Sequence, residues 1–142
     1  MNLPVIIHCR EAFDDTMQIL EQYRSGIKNI VFHCFSGDAS QAKIVLEKGF
    51  YVSFTGVVTF KNAQKSRLAA SAVPLDRLMI ETDAPYMSPE PMRKQKVNEP
   101  ALMVHTAKFL AELKGMDLTD FVKAVTDTSR SFFGLPQNIS TD

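Results

Sequence analysis

What most constrains this chain is an alternation of short apolar runs with amphipathic segments. Val5-Ile6-Ile7, Ile30-Val31-Phe32, Phe50-Tyr51-Val52-Ser53-Phe54 and Leu78-Met79-Ile80 are dominated by aliphatic or aromatic residues. Between them, apolar side chains recur at helical spacing. Phe13, Met17 and Leu20 do so first, with Tyr23 close behind, then Ala42, Val45 and Leu46. A weaker face of Ala63, Leu68, Ala69 and Ala72 lies within 61–72. Short β-rich runs mark strands and a 3.6-residue period marks helices. A repeat of roughly 25 residues per strand and helix is a βα unit, which implies an α/β fold with a parallel sheet. The near-continuous apolar runs agree, because parallel strands are covered on both faces. Ser25-Gly26 should close the first helix through a left-handed glycine, and Gly49 the second. Asp38 should cap the start of the second helix, and Glu11 should open the first, where negative charge suits the dipole.

After Ile80 the pattern stops. Pro85, Pro89, Pro91 and Pro100 exclude helix interiors and central strands, so 84–100 reads as a long loop or lid. Two helices follow. The first carries Leu102, Phe109 and Leu113 and ends at Gly115. The second starts at Asp117, with Asp120 at capping-box spacing, and carries Leu118, Phe121, Val122, Val125, Phe132 and Phe133 before Gly134 and Pro136. Residues 137–142 read as a frayed tail. No shift in composition divides 1–142 into more than one domain.

Composition excludes several functions. Lys+Arg 16 cancels Asp+Glu 16, so bulk charge cannot hold a nucleic acid. No apolar run approaches the ~20 residues that span a bilayer, and Met1-Asn2-Leu3-Pro4 does not read as a signal peptide. Cys9 and Cys34 are too few for a disulfide framework, and a cytoplasmic setting is expected.

The residues ending the strands carry the chemistry. His8 and His33 each follow an apolar run, and Asp83 follows the fourth. Ligands of parallel α/β folds gather at that end of the sheet. Either histidine alone reads as a hydrogen-bonded core residue. Two at equivalent positions, with an aspartate at a third, read as a divalent metal site converging on one cation. Cys9 and Cys34 alternate with the histidines and should face the helices as small buried thiols. Arg10 shares parity with His8. It reads either as a binder of phosphate or carboxylate substrate, or as the ion-pair partner of Glu81. Arg93-Lys94-Gln95-Lys96 is either solvated surface or a patch overhanging the site. His105, on the stripe with Leu102 and Phe109, reads as packed, and Asn98-Glu99 before Pro100 as helix capping.

These motifs stand in a telling order: His8-Cys9-Arg10-Glu11-Ala12, Phe32-His33-Cys34-Phe35-Ser36-Gly37, Glu81-Thr82-Asp83-Ala84-Pro85-Tyr86 and Asn98-Glu99-Pro100. Together they resemble the TatD family of metal-dependent deoxyribonucleases, related to the amidohydrolases, from about Pro4 to Phe133. The resemblance implies a TIM (β/α) barrel binding one or two divalent metals and hydrolysing DNA, often from the 3′ end. It implies His8, His33 and Asp83 as metal ligands, with Asp83 also taking a proton from water as the catalytic base. Arg10 and Arg93 would bind substrate, and the metal would be Mg, Mn or Zn.

The family also carries a His-x-His pair on its first strand and a bridging glutamate on a later one. No His-x-His occurs here, since the histidines are His8, His33 and His105. A whole barrel takes about 250 residues, so this chain of 142 reads as a partial TIM barrel, roughly strands four to eight of eight. The last strand would lie near Val97 to Glu99. An open barrel leaves a strand edge for a homodimer partner or a separate N-terminal half. One weak metal site and little nuclease activity are then expected of the chain alone. The alternatives are an amide- or lactone-cleaving metal hydrolase, and a non-catalytic fragment that pairs with a missing half.

Overall fold

Each apolar run becomes a short strand: β1 Val5–His8, β2 Ile30–His33, β3 Tyr51–Phe54 and β4 Leu78–Ile80. They are seen in a computed structural model that describes residues 3–136. The tail expected at 137–142 lies outside the described residues. The helices are α1 Phe13–Tyr23, α2 Ala39–Glu47, α3 Gln64–Ala72, α4 Met103–Lys114 and α5 Leu118–Phe133. The strands pair in parallel in the order β1-β2-β3-β4. That order follows the chain without the reversal of a doubly wound sheet, and every carboxyl end lies on one side.

Register divides the sheet into two faces. Ile7, Phe32, Val52 and Leu78 align across the ladder and point into the helix layer. There they meet Met17, Leu20, Val45, Ala70, Leu110 and Phe121 in the main core. Val31, Tyr51 and Met79 line the other face and are closed by Phe132 from the last turn of α5. The Phe132 ring stands edge-on to Tyr51 with centroids 5.1 Å apart. The Asn29 amide, at the foot of β2, donates to the Phe132 carbonyl at 2.7 Å. β1 is an edge strand, and Ile6, on the same face as Val31, remains 58% exposed.

Local chemistry sets the helix ends. Asp38 and Gln41 form a reciprocal capping box at α2. Asp117 caps α5 by accepting from the Thr119 amide at 2.7 Å, without Asp120. Gly115 and Gly134 take left-handed C-cap conformations. Four expectations are corrected. Gly26 ends a 3-10 turn, Arg24–Gly26, and does not adopt a positive φ. Glu11 precedes α1, whose first turn carries Asp14 and Asp15 instead. In α3 the buried face is Ser66, Ala69 and Ala70, while Leu68 is 56% exposed. Small residues there let the helix lie close against α2 and α4. Finally, Val97 to Glu99 joins no ladder, so the described residues hold the four strands above and no fifth.

The 84–100 segment is instead an ordered loop folded on itself. The buried Asn98 amide donates to the carbonyls of Thr82 at 2.8 Å and Tyr86 at 2.6 Å. Its backbone N–H donates to the Pro85 carbonyl at 2.9 Å, a bond a ladder would otherwise need. The Glu90 amide donates to Thr59 Oγ1 at 2.8 Å, pinning the loop to the turn after β3. Gly56 in that turn must lack a side chain, because a Cβ would strike the Met87 carbonyl.

Candidate active site

Parallel register puts His8 directly opposite His33 at the carboxyl ends of β1 and β2. Their ring centroids lie 5.7 Å apart. Asp83, just beyond β4, brings Oδ1 to 3.7 Å from His33 Nε2. On the other side of that ring, Nδ1 meets Glu81 Oε2 at 2.6 Å. The second Glu81 oxygen accepts the Cys34 backbone N–H at 2.8 Å and also the Ser53 hydroxyl. A carboxylate so close to Nδ1 holds the proton on that nitrogen, so Nε2 presents a lone pair. Two acceptors, the Nε2 lone pair and the Asp83 carboxylate, therefore face each other. Such a pair is stable with a cation or proton between them.

The backbone around this point is strained. Among the described residues, Glu11, Cys34, Asp83 and Met87 are the non-glycine residues at positive φ, from 45° to 59°. All of them line one cleft of about 860 Å³, together with His8 and His33. Left-handed non-glycine conformations cost of order 1–3 kcal/mol each and persist where the surroundings enforce them, often at functional sites. Sequence patterns carry no signal for this strain.

The other expected site residues separate. Arg10 lines the cleft and is exposed, and it makes no ion pair with Glu81, whose carboxylate is committed to His33, Cys34 and Ser53. That leaves substrate binding as the open reading for Arg10. Arg93 lies over the Phe60 ring, its guanidinium carbon 3.5 Å from the ring centroid, and does not border the cleft. Cys9 packs against the helix-side core, where the Thr16 hydroxyl lies 3.5 Å from its sulfur. Cys34 departs from expectation, because the strand has already ended and its left-handed backbone turns the thiol toward the cleft beside Thr55 and Met87. Burial is the main cause that raises its pKa, and the charges of Asp83 and Glu81 act in the same direction. Both thiols are free. Glu81 is the residue whose role sequence reasoning missed. Its parity with Asp83 was visible, but its partner depends on strand order.

As a cation site, the arrangement is partly built. Among the described residues, no group of three or more His, Cys, Asp or Glu side chains is gathered closely enough to hold a metal ion. His33 and Asp83 stand side by side, while His8 is exposed across the ladder, so the expected convergence of all three on one cation is not seen among the described residues. Imidazole and carboxylate donors of this kind fit zinc, manganese or magnesium.

The sequence profile of the family described as TatD related DNase matches residues 1–134. The chain belongs to this family. As a TatD-related chain it is 44% identical over 133 residues to the uncharacterized metal-dependent hydrolase YcfH of Escherichia coli (strain K12), covering 94% of this chain and 50% of that protein. It is 33% identical over 139 residues to the 3'-5' ssDNA/RNA exonuclease TatD of Erwinia amylovora, covering 95% and 54%. The crystal structure of the TatD homologue YJJV from E. coli K12 superposes with a TM-score of 0.84 at 28% identity, over 94% of this chain and 51% of that one. The TatD-related chain thus spans about half the length of the curated relatives it matches. It is a member of a metal-dependent hydrolase family with an α/β fold.

Proposed function

We infer that the chain carries one side of a metal-dependent phosphodiesterase centre acting on single-stranded nucleic acid, and that its turnover alone is low. The observation that carries this reading is the pair of facing acceptors, His33 Nε2 and Asp83 Oδ1 at 3.7 Å, with Glu81 holding the ring from behind. The printed name of the Erwinia relative supports the substrate class. A divalent cation at this pair supplies a more acidic water and neutralises charge on the phosphoryl oxygens. The chain's own residues do the rest. Asp83 accepts the proton of the attacking water. Glu81 fixes the His33 tautomer and keeps Nε2 aimed into the cleft. Arg10 offers its donor fork to a non-bridging phosphate oxygen.

The sheet reads as an arc of a barrel, because strand order follows the chain and the match covers about half of each relative. On that reading the free edges of β1 and β4 are where a second copy or a separate N-terminal half pairs. Donors from that half would complete the centre, so low activity is expected without it.

The test is release of nucleotides from single-stranded DNA by the purified chain with magnesium, manganese or zinc, alongside calorimetric titration of each metal. Weak metal binding that is lost in His33→Ala and Asp83→Ala, with slow release, is expected. Absence of both metal binding and diester cleavage would reject the centre. Fast turnover by the isolated chain would reject its incompleteness. A second reading, hydrolysis of a small amide or lactone, is favoured by Glu11 and Asp14, which line the cleft beside Arg10 and repel phosphate. Faster cleavage of a lactone than of bis(p-nitrophenyl) phosphate would select it.

A further inference from the structure

The two ends of the cleft differ in charge. The end built by the β1–α1 connection carries Arg10 with Glu11 and Asp14. The end built by the β3–α3 connection carries Phe60, Asn62 and Lys65, and no carboxylate from that segment lines it. Asp38, a carboxylate near Lys65, is already engaged by Ser40 and Gln41 at the start of α2. Asn62 and Lys65 are exposed and Phe60 is half-buried. Arg93 stacks on the Phe60 ring without itself lining the cleft, whereas Phe60 does line it. A guanidinium stacked on an aromatic ring stiffens it at little cost in desolvation.

We propose that this end of the cleft is a nucleotide subsite. One base of a single strand stacks on Phe60 where it borders the cleft, and the adjoining phosphate lies against Lys65 and Asn62. The subsite rests on the phosphodiesterase reading and extends it, since it fixes where the strand lies next to the cleaved bond. Stacking on an aromatic ring tolerates every base, so the subsite recognises strandedness rather than sequence. A duplex hides its base faces and is excluded. Arg93 takes part through Phe60, as a positioning residue.

Binding of a short fluorescein-labelled oligothymidylate, followed by anisotropy, tests this without requiring turnover. Phe60→Leu keeps the bulk and loses the π-face, and its binding should weaken roughly tenfold. Phe60→Trp should bind at least as well as the parent chain. An abasic strand of equal length should bind the parent and Phe60→Leu alike. Lys65→Ala should lower the slope of log Kd against log salt by about 0.7, the share of one single-strand phosphate contact. Equal binding of oligothymidylate by Phe60→Leu and parent, or no binding by the parent, overturns the subsite. The underlying function is judged separately with bis(p-nitrophenyl) phosphate and the parent chain. Absence of its cleavage by the parent chain would strike the phosphodiesterase reading itself, whereas cleavage without any oligothymidylate binding would strike the subsite alone.

Discussion

Glu81 shows how much one side chain can decide. Its carboxylate orders the His33 ring, the Cys34 amide and the Ser53 hydroxyl at once. Outer partners of this kind tune metal affinity by about 10–100-fold. Glu81→Ala is therefore expected to weaken manganese or zinc binding by roughly that factor in calorimetry, with Glu81→Gln between it and the parent. The helix caps give a second residue-scale prediction. Hydrogen bonds from Ser40 and Gln41 lower the Asp38 pKa below its ordinary 3.8. A lowered folded-state pKa means that the cap's contribution is complete above 3.8 and is lost as pH falls through the lower folded value. The Tm gap between the parent and Asp38→Ala should hold near neutrality and shrink as the solution is acidified below that value. The placement of His8, His33 and Asp83 at the ends of strands, and the cap of Asp38, could be read from the sequence, because each follows or precedes a periodic segment at a fixed offset. The partners of Glu81 and Arg93 could not, because both depend on which strands and loops are neighbours.

Among the elements, the four strands and the 84–100 loop were legible to within a few residues, whereas a strand at Val97 to Glu99 and the loop's internal bonding were not. Apolar runs flanked by glycine and proline mark strands well, and β1 to β4 fall where the patterning puts them. The α3 face was misjudged because Leu68 outranks alanine in hydrophobicity, whereas close helix packing selects the small residues Ala69 and Ala70. The segment 84–100 offers no periodicity, so its internal hydrogen bonds cannot be inferred from the sequence. Asn98 is its keystone: its side-chain amide satisfies two carbonyls, and its Oδ1 accepts the Glu99 amide at 2.9 Å. Asn98→Ala removes three hydrogen bonds, to partly buried groups, and should destabilise the chain by about 1–3 kcal/mol. Hydrogen exchange checks this: protection should fall across 82–99 and stay in β2 and β3. Uniform loss of protection would mean that the loop is not a separable unit.

At the scale of the molecule, the sheet is sealed on its helix side and sparsely covered on the other. Ile6 on β1 leaves an apolar side chain next to an unpaired strand edge. Exposed edges with apolar residues invite pairing. Sedimentation should show concentration-dependent self-association that Ile6→Lys reduces, and a chain that stays monomeric at high concentration would remove a second copy as the partner. The family and the parallel α/β sheet were foreseeable from ordered motifs, but the extent of the sheet was not, since Val97 to Glu99 bonds within its own loop. One detail of the ladder has a dynamic consequence. β1 is gripped along a single side, by β2, whereas the Glu81 amide is tied to Phe54 of β3 at 3.1 Å. If the outer strand peels away, the imidazole of His8 leaves with it, while the clasp of Glu81, His33 and Asp83 stays shut. In the proposed centre, the number of nitrogens offered to an ion would thus depend on whether that outermost strand is docked, and a chain pairing with β1 would also steady the grip on the ion.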